Sequence, residues 1–240
     1  CAAAGTEYIE LPIAYDGIAI VVHPENDWVD VLSPDDLKRM WEPSAQGSIT
    51  RWNQIRAEWP DRELHLFGPG VDSGTFDYFT QAIVGDEGAS RGDFTSSEDD
   101  NVLVQGVVTD ELALGFFGYA YYEENSNRLK LVSIDDGDEA NGVGAIAPSP
   151  ESVRNGTYQP LSRPVYIYVN QTALERQEVS GFVDFFLTEN SLIREVGYVP
   201  LTDQEYAMVR QRVEDRVTGT MYRLGHEMAS LTTLLSRPSH

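Results

Sequence analysis

The 240-residue sequence predicts an α/β fold with largely parallel strand pairing. Two observations predict it. Short apolar segments rich in β-branched and aromatic residues alternate with segments whose apolar residues recur at helical spacing. The apolar content of 41% and the charged content of 23% are those of a globular protein with a buried core. A chain of this length can form one large domain or two modest ones.

The first elements have clear local signals. Residues 8–24, YIELPIAYDGIAIVVHP, predict two extended pieces separated by a turn or kink at residues 16–17. A helix over 34–41 follows, because Ser33 is a suitable N-cap residue and Asp36 stands where a capping box needs an acidic side chain.

The middle of the chain alternates regularly. Residues 62–68 predict a short strand and residues 75–84 a helix. Residues 96–108 predict a second capped helix, with acidic side chains in the first turn where the helix dipole favours them. Residues 113–125 predict a strand followed, after a glycine break, by an aromatic-rich helix, and residues 128–134 predict another strand.

The last third is mainly helical. Residues 162–170 predict a strand, and residues 172–216 predict helical structure. The tail at 218–240 has modest helical spacing and no residues that indicate chemistry.

The charge balance excludes some partners. Thirty-nine acidic and 17 basic residues give a net charge of −22, and the acids are spread along the chain. Such a surface repels nucleic acid and anionic membranes. Cys1 is the single cysteine and the four histidines lie far apart in sequence, so we assign no metal and no cofactor.

The most informative motif is Asp72-Ser73-Gly74-Thr75, where a predicted strand passes through glycines into a predicted helix. A helix start carries free backbone N–H groups and partial positive charge, which together favour an anion. Ser73 and Thr75 add hydroxyl donors, and Gly74 allows a ligand to approach the backbone closely. The motif therefore predicts an anion site.

Other interpretations of the motif stay open. Asp72 or Ser73 can cap the helix with nothing bound. Asp-Ser-Gly-Thr is also similar to the active-site loop of aspartic peptidases, but Gly68-Pro69-Gly70 intervenes after the strand and no second such motif occurs. A hydrolase with Ser73 as nucleophile lacks a Gly-x-Ser-x-Gly elbow and a histidine in an identifiable motif.

Several long segments resemble one family in the same order. They are FGPGVDSGTFDYFTQAI, SRGDFTSSEDDNVLVQGV, LGFFGYAYYEEN and YQPLSRPVYIYVN, and the likeness extends from EYIELPIAYDGIAIVV to EVGYVPL. They are similar to the phosphate-binding proteins of bacterial ABC transporters, the PstS family. The resemblance implies a two-lobed periplasmic-binding-protein fold of type II. Residues 16–164 would form lobe II, and residues 1–15 and 165–240 would be a remnant of lobe I whose N-terminal part is absent.

The resemblance implies capture of inorganic phosphate at a helix N-terminus between two lobes, with Ser73, Gly74 and Thr75 as ligands. It implies an extracytoplasmic, periplasmic or extracellular monomer that serves a membrane permease and is not an enzyme, and it leaves open whether the full-length protein is membrane-anchored. A binding protein for another tetrahedral oxyanion such as sulfate, and an interaction protein that kept the fold, remain alternatives.

The source of positive charge is less clear. Many family members place an arginine four residues before the serine, where this sequence has Pro69. Arg91 is our candidate replacement, and the alternative is a surface arginine paired with Asp93 or Glu98. Arg163 is a weaker candidate, better explained as a hinge residue.

The resemblance also implies a missing amino-terminal portion, including a phosphate loop and a carboxylate that accepts the proton of phosphate. We therefore expect a truncated piece with exposed apolar edges and with weak phosphate binding that discriminates poorly against sulfate.

Overall fold

The computed structural model describes residues 5–221 and 231–236, which form two compact units. Unit 1 consists of the described parts of Cys1–Asp16, Arg154–Gly156 and Arg163–His240, and unit 2 consists of Gly17–Val153 and Thr157–Ser162. Strands alternate with helices along the described chain, so the predicted α/β class is confirmed.

The secondary structure follows the chain in this order. The strands are β1 Tyr8–Val22, β2 Val31–Leu32, β3 His65–Pro69, β4 Thr95–Ser97, β5 Ala113–Gly118, β6 Lys130–Ile134, β7 Ser162–Asn170 and β8 Val199–Pro200. The α-helices are α1 Pro34–Trp41, α2 Gly74–Phe79, α3 Asp100–Thr109, α4 Tyr119–Glu124, α5 Pro150–Arg154, α6 Gln177–Thr188, α7 Ser191–Glu195, α8 Asp203–Glu214 and α9 Leu231–Leu235. A π-helical turn, Thr80–Val84, continues α2.

Unit 2 is built on a mixed sheet with the strand order β2-β6-β1-β5-β3-β4. The pairs β2–β6, β3–β5 and β3–β4 are parallel, but β1 is antiparallel to both β5 and β6. The prediction of largely parallel pairing is therefore wrong for the central strand. Helical crossovers make neighbouring strands parallel, whereas β1 is not joined to β5 or β6 by such a unit and is free to run the other way.

β1 is one strand and not two pieces with a kink, so that prediction is also wrong. Residues 18–22 are completely buried, as expected for a strand covered on both faces. The glycine that indicated a turn has a packing role instead, because a Cβ on Gly17 would lie 2.8 Å from Val153 Cγ2. Asp16 is buried, and its carboxylate lies 3.5 Å from the Arg163 guanidinium in unit 1.

The aromatic core of unit 2 lies between α1 and the sheet. The predicted helix 34–41 and its capping box are confirmed, with Ser33 as N-cap. Trp41, at the end of α1, packs edge-on against Phe116, with ring centroids 4.8 Å apart. Phe79 stacks on Phe116 at 3.9 Å. This cluster holds β3 close, since a Cβ on Gly68 would lie 2.7 Å from Phe116.

In unit 1, polar groups join α8 to β1. Thr202, the N-cap residue of α8, forms a capping box with buried Glu205, whose Oε1 also accepts a 2.8 Å hydrogen bond from Tyr15. Arg212 donates through Nε to the carbonyl of Glu10 at 3.0 Å. The buried Glu10 carboxylate accepts from the backbone N–H of Met221 at 2.8 Å. These bonds satisfy groups that would be costly to bury alone.

The other differences between the predicted and the observed secondary structure concern short elements. β2, β4 and β8 were missed, because strands of two or three residues carry no alternation pattern. The predicted helix over 96–108 begins only at Asp100, after β4, and Asp99 is its N-cap. β8 interrupts the region 172–216, which was predicted as helical throughout. Most of the tail at 218–240 lies outside the described residues.

The packing of the aromatic cluster against β3 implies that one added methyl group on Gly68 lowers the stability of the protein. We expect Gly68→Ala to lower the free energy of unfolding by about 1–3 kcal/mol, because the methyl group must displace the rigid rings of Phe116 and Trp41. Urea unfolding followed by circular dichroism measures the change.

Gly181→Ala is the matched control. Gly181 is exposed inside α6, and a Cβ there meets nothing within 4 Å. We expect it to raise the free energy of unfolding by about 0.5–1 kcal/mol, since alanine is the better helix former. Equal effects of the two substitutions would contradict the packing argument.

Candidate functional site

The Asp72–Thr75 motif lies where β3 passes into α2 in unit 2. The Gly70 N–H donates to the Ser97 carbonyl of β4 at 3.2 Å, and the Ser73 N–H donates to the Gly70 carbonyl at 3.1 Å. Ser73 has extended backbone and is the N-cap of α2, with its Oγ accepting from the Thr75 N–H at 3.2 Å. The capping role considered from the sequence is therefore confirmed for Ser73.

The start of α2 is open on one side. Gly74 is exposed, and a Cβ there meets nothing within 4 Å. Ser73 and Thr75 are half-buried. Because Ser73 Oγ accepts one hydrogen bond, its own O–H is still available as a donor. The motif thus presents two hydroxyl groups beside a residue that lacks a side chain, an arrangement suited to a small anion.

Acidic groups lie next to this loop. β3 and β4 are parallel, and the residue after β4, Glu98, approaches the residue after β3 so closely that a Cβ on Gly70 would lie 1.8 Å from Glu98 Oε1. Burial, followed by the charges of Asp99 and Glu98, raises the pKa of Asp100 to about 6. An anion at this edge of the sheet would have to be bound against local negative charge.

No local signal in the sequence identifies this acidic edge. The acids at 98–100 have the pattern of first-turn helix residues, and the three polar residues of β4 show no apolar alternation. The adjacent ends of two parallel strands were the signal that could have found it, since ligands of open α/β sheets bind beyond the carboxyl ends of the strands.

Arg91 is buried in a network of its own. Its Nη1 donates to the carbonyls of Met40 at 3.1 Å and Ile49 at 2.8 Å. Its Nε and Nη2 both bind the carboxylate of Asp93, the second at 2.9 Å. The hydrogen bonds from Arg91 and from the Gly47 N–H hold the pKa of Asp93 at about 2 despite partial burial. Four of the five N–H donors of Arg91 are thus engaged.

The predicted site residues therefore divide into two groups. Ser73, Gly74 and Thr75 adjoin one another at the open loop, whereas the contacts of Arg91 lie with the end of α1, residue 49 and Asp93. The pairing with Asp93, given as the alternative from the sequence, is present. A ligand role for Arg91 stays a prediction.

Arg163 lies in β7 of unit 1 and faces Asp16. Burial raises the pKa of the Asp16 carboxyl, and the charge and hydrogen bond of Arg163 act in the opposite direction. The two groups form a partly exposed ion pair, so the guanidinium has a partner without any ligand.

The geometry does not favour hydrolytic chemistry at Ser73. His65 is at the opposite end of β3, about 13 Å along the strand from its last residue. Its ring nitrogens already contact Asp110 at 2.6 Å and Glu63 at 3.2 Å. Asp72 is exposed on the loop, unlike the paired carboxylates of an aspartic peptidase.

Within residues 5–221 and 231–236, no group of three or more histidine, cysteine, aspartate or glutamate side chains is arranged to hold a metal ion. No described helix has the length and apolar character needed to span a bilayer.

This chain is similar in sequence to curated bacterial proteins. Protein SphX of Synechocystis sp. (strain ATCC 27184 / PCC 6803 / Kazusa) is 49% identical over 217 residues, covering 90% of this chain and 63% of SphX. Phosphate-binding protein PstS of Staphylococcus saprophyticus is 33% identical over 217 residues, covering 88% of this chain and 63% of PstS. The chain thus spans less than two thirds of the length of these curated relatives.

A solved structure is similar to this chain in both fold and sequence. The crystal structure of a possible phosphate binding protein from Planctomyces limnophilus DSM 3776 superimposes with a TM-score of 0.81 at 38% identity, covering 90% of this chain and 75% of that one. Residues 1–190 match the family described as PBP superfamily domain. With most of its length matched by that family and its fold shared with the Planctomyces protein, the chain belongs to the PBP superfamily domain family.

Proposed function

We propose that this chain is part of an extracytoplasmic solute-binding protein that captures inorganic phosphate for an ABC importer and works with a membrane permease. The names of PstS and of the Planctomyces structure support the proposal, since both name phosphate as the ligand. The protein would act as a monomer and would carry out no reaction on the ion.

The observation that carries the proposal is the open start of α2. Two hydroxyl groups, Ser73 and Thr75, flank exposed Gly74, at the carboxyl end of β3 where ligands of α/β sheets bind. Hydrogen bonds from neutral donors to a charged oxygen are stronger than those between neutral groups. Such donors can hold a tetrahedral oxyanion even without an adjacent arginine.

We assign the two compact units to the two lobes of such a protein. Unit 2 would correspond to lobe II, and unit 1 to the part of lobe I contained in this chain. The loop at 73–75 belongs to unit 2, so lobe II would supply the hydroxyl ligands.

A second oxyanion remains a candidate because of one specific observation. The donors at 73–75 are neutral groups that any tetrahedral oxyanion can accept from, sulfate included. Glu98 and Asp99 beside the loop add repulsion that is stronger for the more highly charged ion. Because phosphate at neutral pH is itself partly doubly charged, this repulsion separates the two ions only weakly, and we expect poor discrimination against sulfate.

The proposal predicts that Gly74→Ala weakens phosphate binding without harming the fold. A methyl group there meets no protein atom within 4 Å, but it fills the space through which an anion would approach the backbone. We expect a loss of affinity of about tenfold or more, equivalent to about 1.4 kcal/mol, in isothermal titration with inorganic phosphate.

Ser180→Ala is the control, because Ser180 is exposed in unit 1 and its hydroxyl donates to the carbonyls of Arg176 and Gln177 at the start of α6. Titrating each protein with sulfate as well tests the second candidate. Unchanged phosphate affinity in Gly74→Ala, with wild-type binding measurable, would contradict the assignment of the site.

Replacing Arg91 should change the stability of the fold. We expect Arg91→Met to lower the free energy of unfolding by about 1–3 kcal/mol, because the Met40 and Ile49 carbonyls lose their buried donor. The depressed pKa of Asp93 stabilises the wild type above its ordinary pKa near 4, and this contribution is lost as pH falls toward 2.

The stability of Arg91→Met should therefore depend less on pH between 4 and 2 than that of the wild type, as followed by urea unfolding at each pH. A ligand role for Arg91 would appear as a loss of phosphate affinity with little change in stability. An unchanged pH profile would show that the Asp93 pair does not act as described.

A further inference from the structure

His65, the first residue of β3, has a carboxylate at each of its two ring nitrogens. Asp110 Oδ2 lies 2.6 Å from Nδ1, and Glu63 Oε2 lies 3.2 Å from Nε2. An ionised carboxylate can only accept hydrogen bonds, whereas a neutral imidazole has one N–H donor and one nitrogen that only accepts. A neutral ring would therefore turn a lone pair toward one of the two carboxylates. Only the charged ring, with a proton on both nitrogens, can donate to both.

The other charged side chains at this end of the sheet pair with one another. Arg62 Nη2 lies 3.4 Å from Glu111 Oε2, and Arg51 forms an ion pair with Asp61. Each of these pairs is neutral as a whole. Within the described part of the chain, the two carboxylates at the His65 ring form ion pairs with that ring alone. They therefore favour a positive charge on it.

The protonation of His65 is coupled to folding. Burial of the ring disfavours its charge, but the hydrogen bonds and the negative charges of Asp110 and Glu63 act in the opposite direction and prevail. The pKa of His65 is thus raised above its ordinary value of about 6.5. For a group whose pKa is higher in the folded state, the stabilisation is fully present below the ordinary pKa. It is lost as pH rises through the pKa of the folded chain.

The Asp110 side chain connects this ring to the turn between α3 and β5. Its Oδ1 accepts a hydrogen bond from the Leu112 N–H at 2.9 Å, while its Oδ2 faces His65. The Leu112 carbonyl in turn accepts from the His65 backbone N–H and from Trp52 Nε1, both at 3.2 Å. The 110–112 turn is therefore held to β3 by one backbone hydrogen bond and by one contact that depends on a proton.

We propose that His65 is a pH-sensitive clamp, whose charged ring ties the 110–112 turn and Glu63 to the start of β3 and releases them when the ring loses its proton. The backbone hydrogen bond from His65 to Leu112 contains no titratable group, so the turn loosens without leaving the sheet. The clamp is closed below about pH 6.5 and opens as the medium becomes alkaline. It lies at the opposite end of β3 from the loop at 73–75, so the inference is independent of phosphate binding.

The test compares the Tm of the wild type, His65→Gln and His23→Gln at about pH 6 and at about pH 9. Glutamine keeps an N–H donor but does not titrate. We expect the wild type to melt about 2–4 °C above His65→Gln at the lower pH, and the difference to fall below about 1 °C at the higher pH. His23→Gln is the matched control, because His23 Nδ1 accepts a hydrogen bond from the Glu25 N–H at 3.1 Å. Its Tm difference from the wild type should be the same at both pH values.

A second measurement follows the ring nitrogens of His65 directly, by NMR of nitrogen-labelled protein over the same pH range. Both nitrogens should carry a proton at about pH 6. Asp110→Asn should move the titration midpoint of His65 to lower pH, because one of the charges that favour the charged ring is gone.

The proposal is overturned by a neutral His65 ring at about pH 6, or by Tm differences between the wild type and His65→Gln that are equal at the two pH values. If His65→Gln does not fold, the two titration midpoints decide. A midpoint that Asp110→Asn lowers supports the clamp, and a midpoint that it leaves unchanged overturns it.

Discussion

The structure depends on the burial of one long strand. β1 supplies hydrogen-bonding partners to β5 and β6 in unit 2 and to β7 and β8 in unit 1, and its residues from Ile18 to Val22 are completely buried. A backbone group in that position must be paired, because no water is available to it. Its antiparallel pairing with β5, β6 and β8 thus fixes the register of those strands.

The sheet of unit 2 positions the candidate site. The ladder between β3 and β5 and the aromatic cluster of Trp41, Phe79 and Phe116 fix the end of β3 and the first turns of α2. Ser73 then caps the helix, which orients its neighbours without any ligand. A rigid scaffold and an open loop are the combination expected of a binding site that requires little reorganisation.

The charge of −22 does not conflict with anion capture. Screening at physiological salt limits the reach of exposed charges to about 8 Å, so only the nearest groups act strongly. Those groups include Glu98 and the acids at 99 and 100 beside the loop. Local carboxylates oppose a highly charged anion at close range, while hydroxyl donors attract one. The balance between them would set how strongly a given oxyanion is attracted to the candidate site.

The α/β class, the capped helix at 34–41, the long strand at 162–170 and the change from strand to helix at Ser73 could be predicted from the sequence, because caps, glycines and apolar spacing are local signals. Other features depend on the packing of the folded chain. The direction of β1, the strand β4 of three polar residues and the engagement of Arg91 with Asp93 all depend on partners distant in sequence. Gly17 and Gly68 are the clearest examples, because each is typical of a turn or break when the sequence is considered alone. In the folded chain, Val153 packs against Gly17 and Phe116 packs against Gly68, so neither position has room for a side chain.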